Sequence, residues 1–335
     1  MSYNKAALVK LTNDINKKSG TNTMYTLANA NRNIPRLSTG IEDLDSILGG
    51  GFPKGRTIEI FGPESAGKTT LLYHLYGISE MSVHFPVEGT FDAGRAEVFG
   101  ADADNLIIGE TESGEDCMNK VLAYARTGVP LIGIDSVPSL VPKDDLEKLE
   151  KAEKRNSVEE QRIGGIARLL NKYLPVIEEI IKRTGTVVIF TNQVRDKMNA
   201  PMFGEKTDTP GGHKLKHSAS HRIKTARRQW IECKNYNPKS SADKEKVGMI
   251  QKLVVVKSKV NNPMGECEIP LFFDKGYISF ADLKQETADC AERRKEFFTS
   301  AISSAEDDWE DVEELDNEEE IGYNDEEVED EWSDD

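Results

Sequence analysis

One stretch near the start of the chain limits the possible folds more than any other. Residues 61–70 read Phe-Gly-Pro-Glu-Ser-Ala-Gly-Lys-Thr-Thr, and Gly62 to Thr69 fit the pattern G-x-x-x-x-G-K-[ST]. An apolar run at 57–61 precedes this stretch and an apolar segment at 70–76 follows it, which predicts a strand, a glycine-rich loop and a helix. Such a loop turns backbone N–H groups and a helix N-terminus toward an anion. The sequence therefore predicts a site for the phosphates of a nucleotide.

Two further features complete a metal-dependent phosphate site. Lys68 is expected to reach the β- and γ-phosphates, and the Thr69 hydroxyl to ligate Mg²⁺. Leu131–Asp135 is an apolar run that ends in a carboxylate. Such an aspartate is often only a turn residue, but beside a phosphate-binding loop it indicates the second metal-associated element of a nucleoside triphosphatase.

Hydrolysis also requires a group that orients water at the γ-phosphate. Glu88 follows the predicted strand 82–87 and is the best placed carboxylate, the alternative being a solvated turn residue. Gln193 follows the predicted strand 186–191. We expect its amide beside the γ-phosphate, where it can sense the triphosphate and pass that state to the loop that follows.

The order of predicted elements indicates the fold class. From Thr57 onward, strands at 57–61, 82–87, 105–109, 131–135 and 186–191 alternate with helices at 67–79, 114–127 and 158–183. This alternation predicts an α/β fold with a mainly parallel twisted sheet flanked by helices. After Gly212 the segments favour antiparallel edge strands, at 219–226, 228–233, 249–259, 266–273 and 277–280.

Charge is distributed unevenly along the 335 residues, whose net charge is −16. Residues 306–335 contain 19 Asp plus Glu and no Lys or Arg, which leaves 40 acidic against 43 basic side chains elsewhere. We expect this acidic tail to be disordered, acting either by autoinhibition of DNA binding or as a docking segment for proteins. The mildly basic remainder is able to hold a nucleic-acid backbone.

Other classes of protein are disfavoured. No run of eighteen apolar residues predicts a membrane span, and the N-terminus lacks the apolar core of a secretion signal. The four cysteines show no C-x-x-C spacing, which argues against a zinc site or a disulfide framework and fits a reducing cytoplasm.

Residues 194–212 form an irregular predicted loop that mixes cations with apolar side chains. Arg195 and Lys197 stand near Met198 and Phe203, a combination typical of proteins that bind single-stranded DNA. Basic residues continue from 214 to 228, where a solvated basic face is the alternative. Lys257 and Lys259 share one side of a predicted strand. They are either exposed lysines on an edge strand without a binding role or phosphate contacts across a subunit boundary.

The N-terminal segment predicts an arm. Residues 4–18 form an amphipathic helix with a basic face, and residues 24–27 a short strand. The helix either packs on its own domain or docks on a neighbouring subunit.

With these motifs in place, the chain resembles the RecA recombinase family. The resemblance covers roughly residues 5–280, and its motifs are Leu37–Gly40, Gly62–Thr70, Ile134–Val137, Phe190–Arg195, Met202–Gly204, Gly211–Gly212 and Lys257–Lys259. The Pro-Glu-Ser filling of the loop is the most specific of them. The family is one of DNA-dependent ATPases that form helical filaments on single-stranded DNA and catalyse homologous pairing and strand exchange in recombination and repair.

The resemblance implies ATP and Mg²⁺ as cofactors and assigns residues to them. Catalysis falls to Glu88, Lys68 and Gln193, and the metal to Thr69 and Asp135. The residues implied to bind ATP are Gly62, Pro63, Glu64, Ser65, Ala66, Gly67, Lys68, Thr69, Thr70, Asp92, Arg95 and Phe273 of one protomer, with Lys257 and Lys259 of the adjacent one. Arg95 replaces an aromatic of the family, so cation stacking on the adenine is expected.

The resemblance also implies two DNA-binding loops, near 156–165 and 194–212. The residues implied to contact DNA are Ile163, Gly164, Gly165, Arg168, Arg195, Lys197, Met198, Phe203, Gly211 and Gly212, with Ile163 and Met198 as the wedges between base triplets. Both single-stranded and duplex DNA are implied ligands. Single-strand-binding and loader proteins are implied partners. The resemblance implies no association with a membrane.

The expected domains are an arm and linker at 1–35, the ATPase core at 36–282, a short helical segment at 283–305 and the acidic tail at 306–335. The short C-terminal region resembles bacteriophage members, which act in the host cytoplasm. Two other functions stay open: a hexameric helicase or branch-migration motor built on the same core, and a non-catalytic, ATP-switched scaffold.

Overall fold

The computed structural model describes residues 3–20, 23–29, 33–89, 91–153, 164–196, 207–237, 240, 242–261 and 264–315. The α-helices in these ranges are α1 (Lys5–Ser19), α2 (Glu42–Leu48), α3 (Lys68–Ile78), α4 (Ala93–Val98), α5 (Gly114–Thr127), α6 (Lys143–Glu153), α7 (Gly165–Thr184), α8 (Gly212–Ser218) and α9 (Leu283–Leu315). The strands are β1 (Arg36–Leu37), β2 (Phe52–Pro53), β3 (Thr57–Gly62), β4 (Ser82–Pro86), β5 (Leu106–Ile108), β6 (Leu131–Asp135), β7 (Val187–Gln193), β8 (Arg195–Asp196), β9 (Thr207–Asp208), β10 (His221–Lys234), β11 (Lys244–Ser258), β12 (Glu266–Phe272) and β13 (Gly276–Tyr277).

A sheet of nine strands carries the fold, in the order β13-β12-β11-β10-β3-β7-β6-β4-β5. The strands from β10 to β5 pair in parallel, and β11, β12 and β13 add antiparallel pairings at one edge. Every residue of β3 and of β6 is buried, as expected for parallel strands covered on both faces. The predicted α/β class, mainly parallel with antiparallel edge strands, is confirmed.

Helices cover both faces of this sheet. On one face, Leu71 and Leu75 of α3 share a buried cluster with Ile58 and Ile60 of β3. On the other, α5 and α7 pack against β6 and β7. The apolar residues therefore form two large cores, one on each side of the strands, and a third, smaller cluster lies between the antiparallel strands and α9.

The parallel strands end at one edge, which brings distant residues together. Gly62 at the end of β3 pairs in register with Gln193 of β7, and Asp135 of β6 pairs with Pro86 of β4. Because ligands of open α/β sheets bind outside the carboxyl ends of the strands, this edge is where a site is expected.

The predicted strand at 24–27 was wrong. Residues 23–26 are irregular, and a short 3₁₀ turn follows at Leu27–Asn29. A strand requires a neighbouring edge to satisfy its N–H and C=O groups, and none of the described sheets includes these residues. The α1 helix itself forms as predicted, capped by the Asn4 side chain, and none of its residues is buried.

Three other boundaries differ from the sequence prediction. The segments 219–226 and 228–233 are one strand, β10, whose pairing with β11 shifts register between Arg227 and Gln229. The charged stretch from Lys143 to Glu153 forms α6, and α7 begins at Gly165. The C-terminal helix continues to Leu315, ten residues into the predicted tail, because its sequence holds neither Gly nor Pro to end it. The rest of the tail lies outside the described residues.

None of the described helices is both long and apolar enough to cross a membrane.

Gly133 in β6 is required by close packing, and its replacement is expected to destabilise the core. A Cβ there would lie 1.9 Å from Tyr76 Oη, which is itself hydrogen-bonded to His84 Nδ1 at 2.8 Å. We expect Gly133→Ala to lower the free energy of unfolding by about 1–3 kcal/mol, measured by urea denaturation. Adding Tyr76→Phe removes the clashing oxygen and is expected to restore part of the loss. Gly94→Ala, whose Cβ meets nothing closer than 3.6 Å, is the control.

Candidate nucleotide site and nucleic-acid interface

The loop between β3 and α3 has the conformation of a phosphate cradle. Ser65 and Gly67 both have left-handed backbone conformations, with φ of 54° and 79°. Gln251 of β11 braces the loop from below, since its Nε2 donates to Ala66 O at 2.7 Å. A Cβ on Gly67 would lie 2.7 Å from that Nε2, so a larger residue in this left-handed conformation would displace Gln251 from the loop. The sequence analysis missed Gln251, because nothing in its local sequence connects it with the loop.

The Lys68 side chain lies against the loop and hydrogen-bonds to its backbone carbonyls. Its Nζ donates to Pro63 O at 2.7 Å and to Gly62 O at 3.3 Å. Burial lowers the pKa of Lys68, while the carboxylates of Asp135, Glu88 and Glu64 oppose this. The ammonium group is thus held over the cradle by weak backbone acceptors, which the charged oxygens of a phosphate would replace.

Thr69 and Asp135 form the metal side of the site. The Thr69 hydroxyl donates to Asp135 Oδ2 at 2.6 Å, and the Thr191 hydroxyl donates to Oδ1 of the same carboxylate. The Thr69 hydroxyl and the Asp135 carboxylate are both hard oxygen ligands. Mg²⁺ in phosphate sites typically takes one or two protein oxygens, with waters and phosphate completing the octahedron. The described residues contain no group of three or more His, Cys, Asp or Glu that could hold a metal ion. The residues fit Mg²⁺ bound together with a nucleotide.

Glu88 and Gln193 meet where the parallel strands end. The Ser136 hydroxyl donates to Glu88 Oε1, and Gln193 Nε2 donates to the same oxygen at 3.4 Å. The backbone N–H of Glu88 donates to Asp135 O at 3.2 Å. The carboxylate is therefore fixed between the end of β6 and the end of β7. Ser136 is a further residue that the sequence analysis did not assign.

A cleft of about 610 Å³ extends from the loop, within the range typical of small-ligand sites. Its walls include Asp92 and Arg95, and also Tyr73 and Phe91, whose rings make an edge contact at 5.9 Å. Asp92 caps α4 by accepting the Arg95 N–H at 2.9 Å. The loop contributes Ser65 to Thr70 to this lining.

Phe273 does not belong to this cleft in the single chain. Among the described residues it contacts Trp230, with the ring centroids 6.3 Å apart, and it is absent from the cleft lining. The aromatic walls come instead from Tyr73 and Phe91. Tyr73 could have been found from the sequence, since it is one and a half helical turns beyond Lys68 on the helix that leaves the loop.

Lys257 and Lys259 lie near the amino ends of the parallel strands, whereas the phosphate-binding loop of the same chain lies at the carboxyl ends. Ser258 between them pairs with His221, and His221 pairs with Ile58 near the start of β3. About 10–16 Å of extended strand separates that point from Gly62. Both ammonium groups donate to carbonyls at the end of α8: Lys257 to His217 O at 3.0 Å, and Lys259 to Ser218 O at 3.0 Å.

The charge state of Lys257 is sensitive to pH. Burial, with help from the charges of Lys259 and Arg222, lowers the pKa of Lys257 to about 8. The protonated fraction then falls from about nine-tenths at pH 7 to about one-tenth at pH 9. If the charge binds phosphate, nucleotide-dependent activity is expected to fall along an alkaline limb centred near pH 8. Lys257→Arg, which stays charged, is expected to move that limb upward in a pH–rate profile; an unchanged limb would exclude this lysine as its source.

The two predicted DNA-binding loops end side by side. Gly164 and Gly211, both left-handed, precede α7 and α8, with φ of 101° and 95°. A Cβ on Gly212 would lie 3.0 Å from Ala167 Cβ, so the two helix starts are in contact. Gly165 is equally restricted, by Asp145 at 2.3 Å from its hypothetical Cβ. The first turns of α7 and α8 therefore lie next to each other where the two predicted loops end.

The cationic and apolar residues of these loops are only partly described. Arg168 is exposed on the first turn of α7, and Arg195 is exposed in β8, where it pairs with Asp208 of β9. The predictions for Ile163, Lys197, Met198 and Phe203 lie outside the described residues.

Asn192 connects the nucleotide edge to the second loop. Its Nδ2 donates to Glu59 Oε1 and to Pro210 O, both at 2.9 Å. Glu59 is fully buried and forms an ion pair with Arg222 at 2.5 Å. Gln193 and the residues before Gly211 are thus attached to one buried polar network, which removal of a single partner would disrupt.

Comparison with known proteins agrees with this geometry. The RecA N-terminal domain family matches residues 6–278. Protein RecA of Macrococcus caseolyticus is 33% identical over 285 residues, which is 82% of this chain and 75% of the relative. Protein RecA of Campylobacter fetus is 36% identical over 249 residues, 72% of this chain and 67% of the relative. Protein RecA of Mesomycoplasma hyopneumoniae is 36% identical over 257 residues, 74% and 70%. The chain belongs to the RecA family of recombinases.

Proposed function

We propose that this chain is a DNA-dependent ATPase that assembles as a helical filament on single-stranded DNA and catalyses homologous pairing and strand exchange. The observation that carries the proposal is the contact between Gln193 and Glu88, 3.4 Å apart. It joins the carboxylate suited to hydrolysis to the strand that leads into the predicted second DNA-binding loop.

In the proposed mechanism, the residues of one protomer bind and orient the triphosphate of ATP. The N–H groups of the loop and the start of α3 hold the phosphates, and Lys68 places its charge against the outer ones. Thr69 and Asp135 would hold Mg²⁺, which would neutralise charge that develops on the phosphate oxygens. Glu88 orients a water and accepts its proton, and the Ser136 hydroxyl fixes the position of Glu88 Oε1.

The second half of the proposed site comes from a neighbour. Lys257 and Lys259 lie near the amino ends of the parallel strands, away from their own loop, which supports a contact with the nucleotide of another copy. The α1 helix supports assembly as well, because Leu8 and Leu11 on it are 52% and 55% exposed. An arm that buries these side chains on the next copy would leave the filament open-ended, as heterologous contacts do.

Coupling to DNA follows from the shared network. When Gln193 turns its amide toward the γ-phosphate, it leaves Glu88, and the change at the end of β7 passes through Asn192 to Pro210. ATP then favours the loop arrangement that holds DNA, and hydrolysis releases it. We further propose that the chain acts on DNA in the cytoplasm, with single-strand-binding and loader proteins as partners.

The test of this function is ATP hydrolysis with and without single-stranded DNA. We expect turnover to rise at least tenfold when DNA is added at low salt, and the stimulation to weaken as salt increases. Turnover that is indifferent to DNA would contradict the proposal.

A further inference from the structure

A chain of hydrogen bonds joins the antiparallel edge of the sheet to the phosphate-binding loop. The Tyr277 hydroxyl, on β13, donates to Gln251 Oε1 at 2.5 Å, and Gln251 Nε2, on β11, donates to Ala66 O at 2.7 Å. Gln251 and Ala66 are both buried. The amide of Gln251 therefore depends on these two partners, because solvent does not reach it to replace one of them.

The direction of this chain is fixed by its last member. A backbone carbonyl can only accept a hydrogen bond, so Gln251 has to turn its NH₂ group toward Ala66 O. The Oε1 atom then faces Tyr277, which has to donate. Burial raises the pKa of the Tyr277 hydroxyl, so the proton that this bond requires is retained. The tyrosine O–H thus selects one of the two amide orientations, which are nearly identical in shape.

Tyr277 is itself held against the helix that follows the loop. Its ring makes an edge contact with His74 of α3, with the ring centroids 5.0 Å apart and the ring planes at 77°. Burial lowers the pKa of His74, and the ring Nε2 donates to Thr39 O at 2.9 Å. On its other side, Tyr277 pairs with Leu271 of β12. The hydroxyl therefore meets Gln251 from a position that α3 and β12 fix.

The orientation of the Ala66 carbonyl determines that of the next N–H group. The Ala66–Gly67 peptide bond is trans, and in a planar trans peptide unit the C=O and N–H bonds point in opposite directions. With its oxygen held by Gln251, this unit directs the Gly67 N–H away from β11. Gly67 lines the nucleotide cleft and directly precedes α3, so its N–H is one of the donors that a phosphate would meet there.

We propose that Gln251 and Tyr277 are positioning residues for nucleotide binding, which hold the Gly67 N–H in the direction that a phosphate requires. Gln251 fixes the peptide unit, and Tyr277 acts through Gln251 by fixing the orientation of its amide. Neither side chain lines the cleft. A donor that is already oriented needs no ordering when the anion binds, which raises affinity. The inference rests on the function proposed above only in taking the ligand of the loop to be a nucleotide.

Tyr277→Phe keeps the ring and removes the donor to Gln251 Oε1, so the amide is no longer held in one orientation. The Kd of ADP carrying a fluorescent label on its ribose, measured on the full-length protein without DNA, is expected to rise about threefold or more. Gln251→Met removes both hydrogen bonds, and a rise of about tenfold or more is expected. In both variants kcat at saturating ATP is expected to change less than about twofold, because the N–H serves ground state and transition state alike.

The double variant separates an action through Gln251 from an independent effect of the hydroxyl. Because Tyr277 acts only through Gln251, Tyr277→Phe combined with Gln251→Met is expected to bind ADP as weakly as Gln251→Met alone. A further loss of about threefold in the double variant would show that the two effects simply add. That result would overturn the role assigned to Tyr277.

Tyr76→Phe is the matched control. Tyr76 is also a buried tyrosine whose hydroxyl has a buried partner, His84 Nδ1 at 2.8 Å, but neither residue lines the cleft. This variant is expected to lose Tm without nucleotide much as Tyr277→Phe does, yet to bind ADP like the unmodified protein. If Tyr277→Phe binds ADP as tightly as this control, the proposal is wrong. Because ADP binding is measured without DNA, that outcome is distinct from a failure of DNA to stimulate turnover, which contradicts only the function proposed above.

Discussion

Glu88→Gln is expected to lower kcat for ATP hydrolysis by about 10²–10⁴-fold and to leave ATP-dependent DNA binding intact. The amide keeps the size of the side chain and can still accept from Ser136, but it cannot take a proton from water. Because the triphosphate persists, the protein is expected to stay in its DNA-holding state. Steady-state phosphate release and fluorescence anisotropy of labelled single-stranded DNA measure the two properties on one preparation.

The control is Glu80→Gln, an exposed glutamate beyond the end of α3. It is expected to hydrolyse ATP at the unmodified rate. If Glu88→Gln turned over ATP as fast as this control, Glu88 would not be the catalytic carboxylate. Loss of DNA binding together with turnover would instead indicate that Glu88 is needed for the nucleotide-bound conformation.

Two variants that are each inactive are expected to restore activity when mixed. Lys68→Ala removes the charge on one side of the proposed composite site, and Lys257→Met with Lys259→Met removes the charges on the other. Each alone is expected to lose about 10²–10³-fold or more in kcat. In a mixed filament, a loop with Lys68 intact can meet a neighbour whose lysines are intact, so a measurable fraction of the sites becomes complete.

Lys252→Met is the control for the lysine pair. Lys252 is on the same strand, β11, but its ammonium group forms an ion pair with Glu266 of β12 at 2.9 Å. This variant is expected to be active alone. ATP turnover of the mixture, measured across mixing ratios on single-stranded DNA, should peak near equal amounts. Turnover that never exceeds that of either variant alone would show that one chain supplies the whole site.

Local sequence patterns were enough to predict the parts of the site that lie in continuous segments. These parts are the loop at 62–70, the strand ending in Asp135, Glu88 and Gln193. Each was predictable because a strand followed by a polar residue can be recognised from the local sequence, without knowing which elements pack beside it. The parallel sheet then follows from the alternation of strands and helices. Its carboxyl edge brings these four features together.

Other contacts depend on long-range packing and carry no local signal. Gln251 supports the loop from 185 residues away in sequence, and only the position of β11 beside β10 explains why. The strand at 24–27 was wrong for the complementary reason: its apolar residues fit a strand, but pairing depends on an edge that the local sequence does not specify. Phe273 likewise has the residue type expected near an adenine, while the packing of β12 and β13 directs it to Trp230.

Electron microscopy of the protein with single-stranded DNA and a slowly hydrolysed ATP analogue tests the central claim most directly. The account predicts open helical filaments that follow the DNA, and their loss in Lys257→Met/Lys259→Met, because each nucleotide would lack its neighbour's contacts. Closed rings, or DNA without regular protein along it, would contradict the claim.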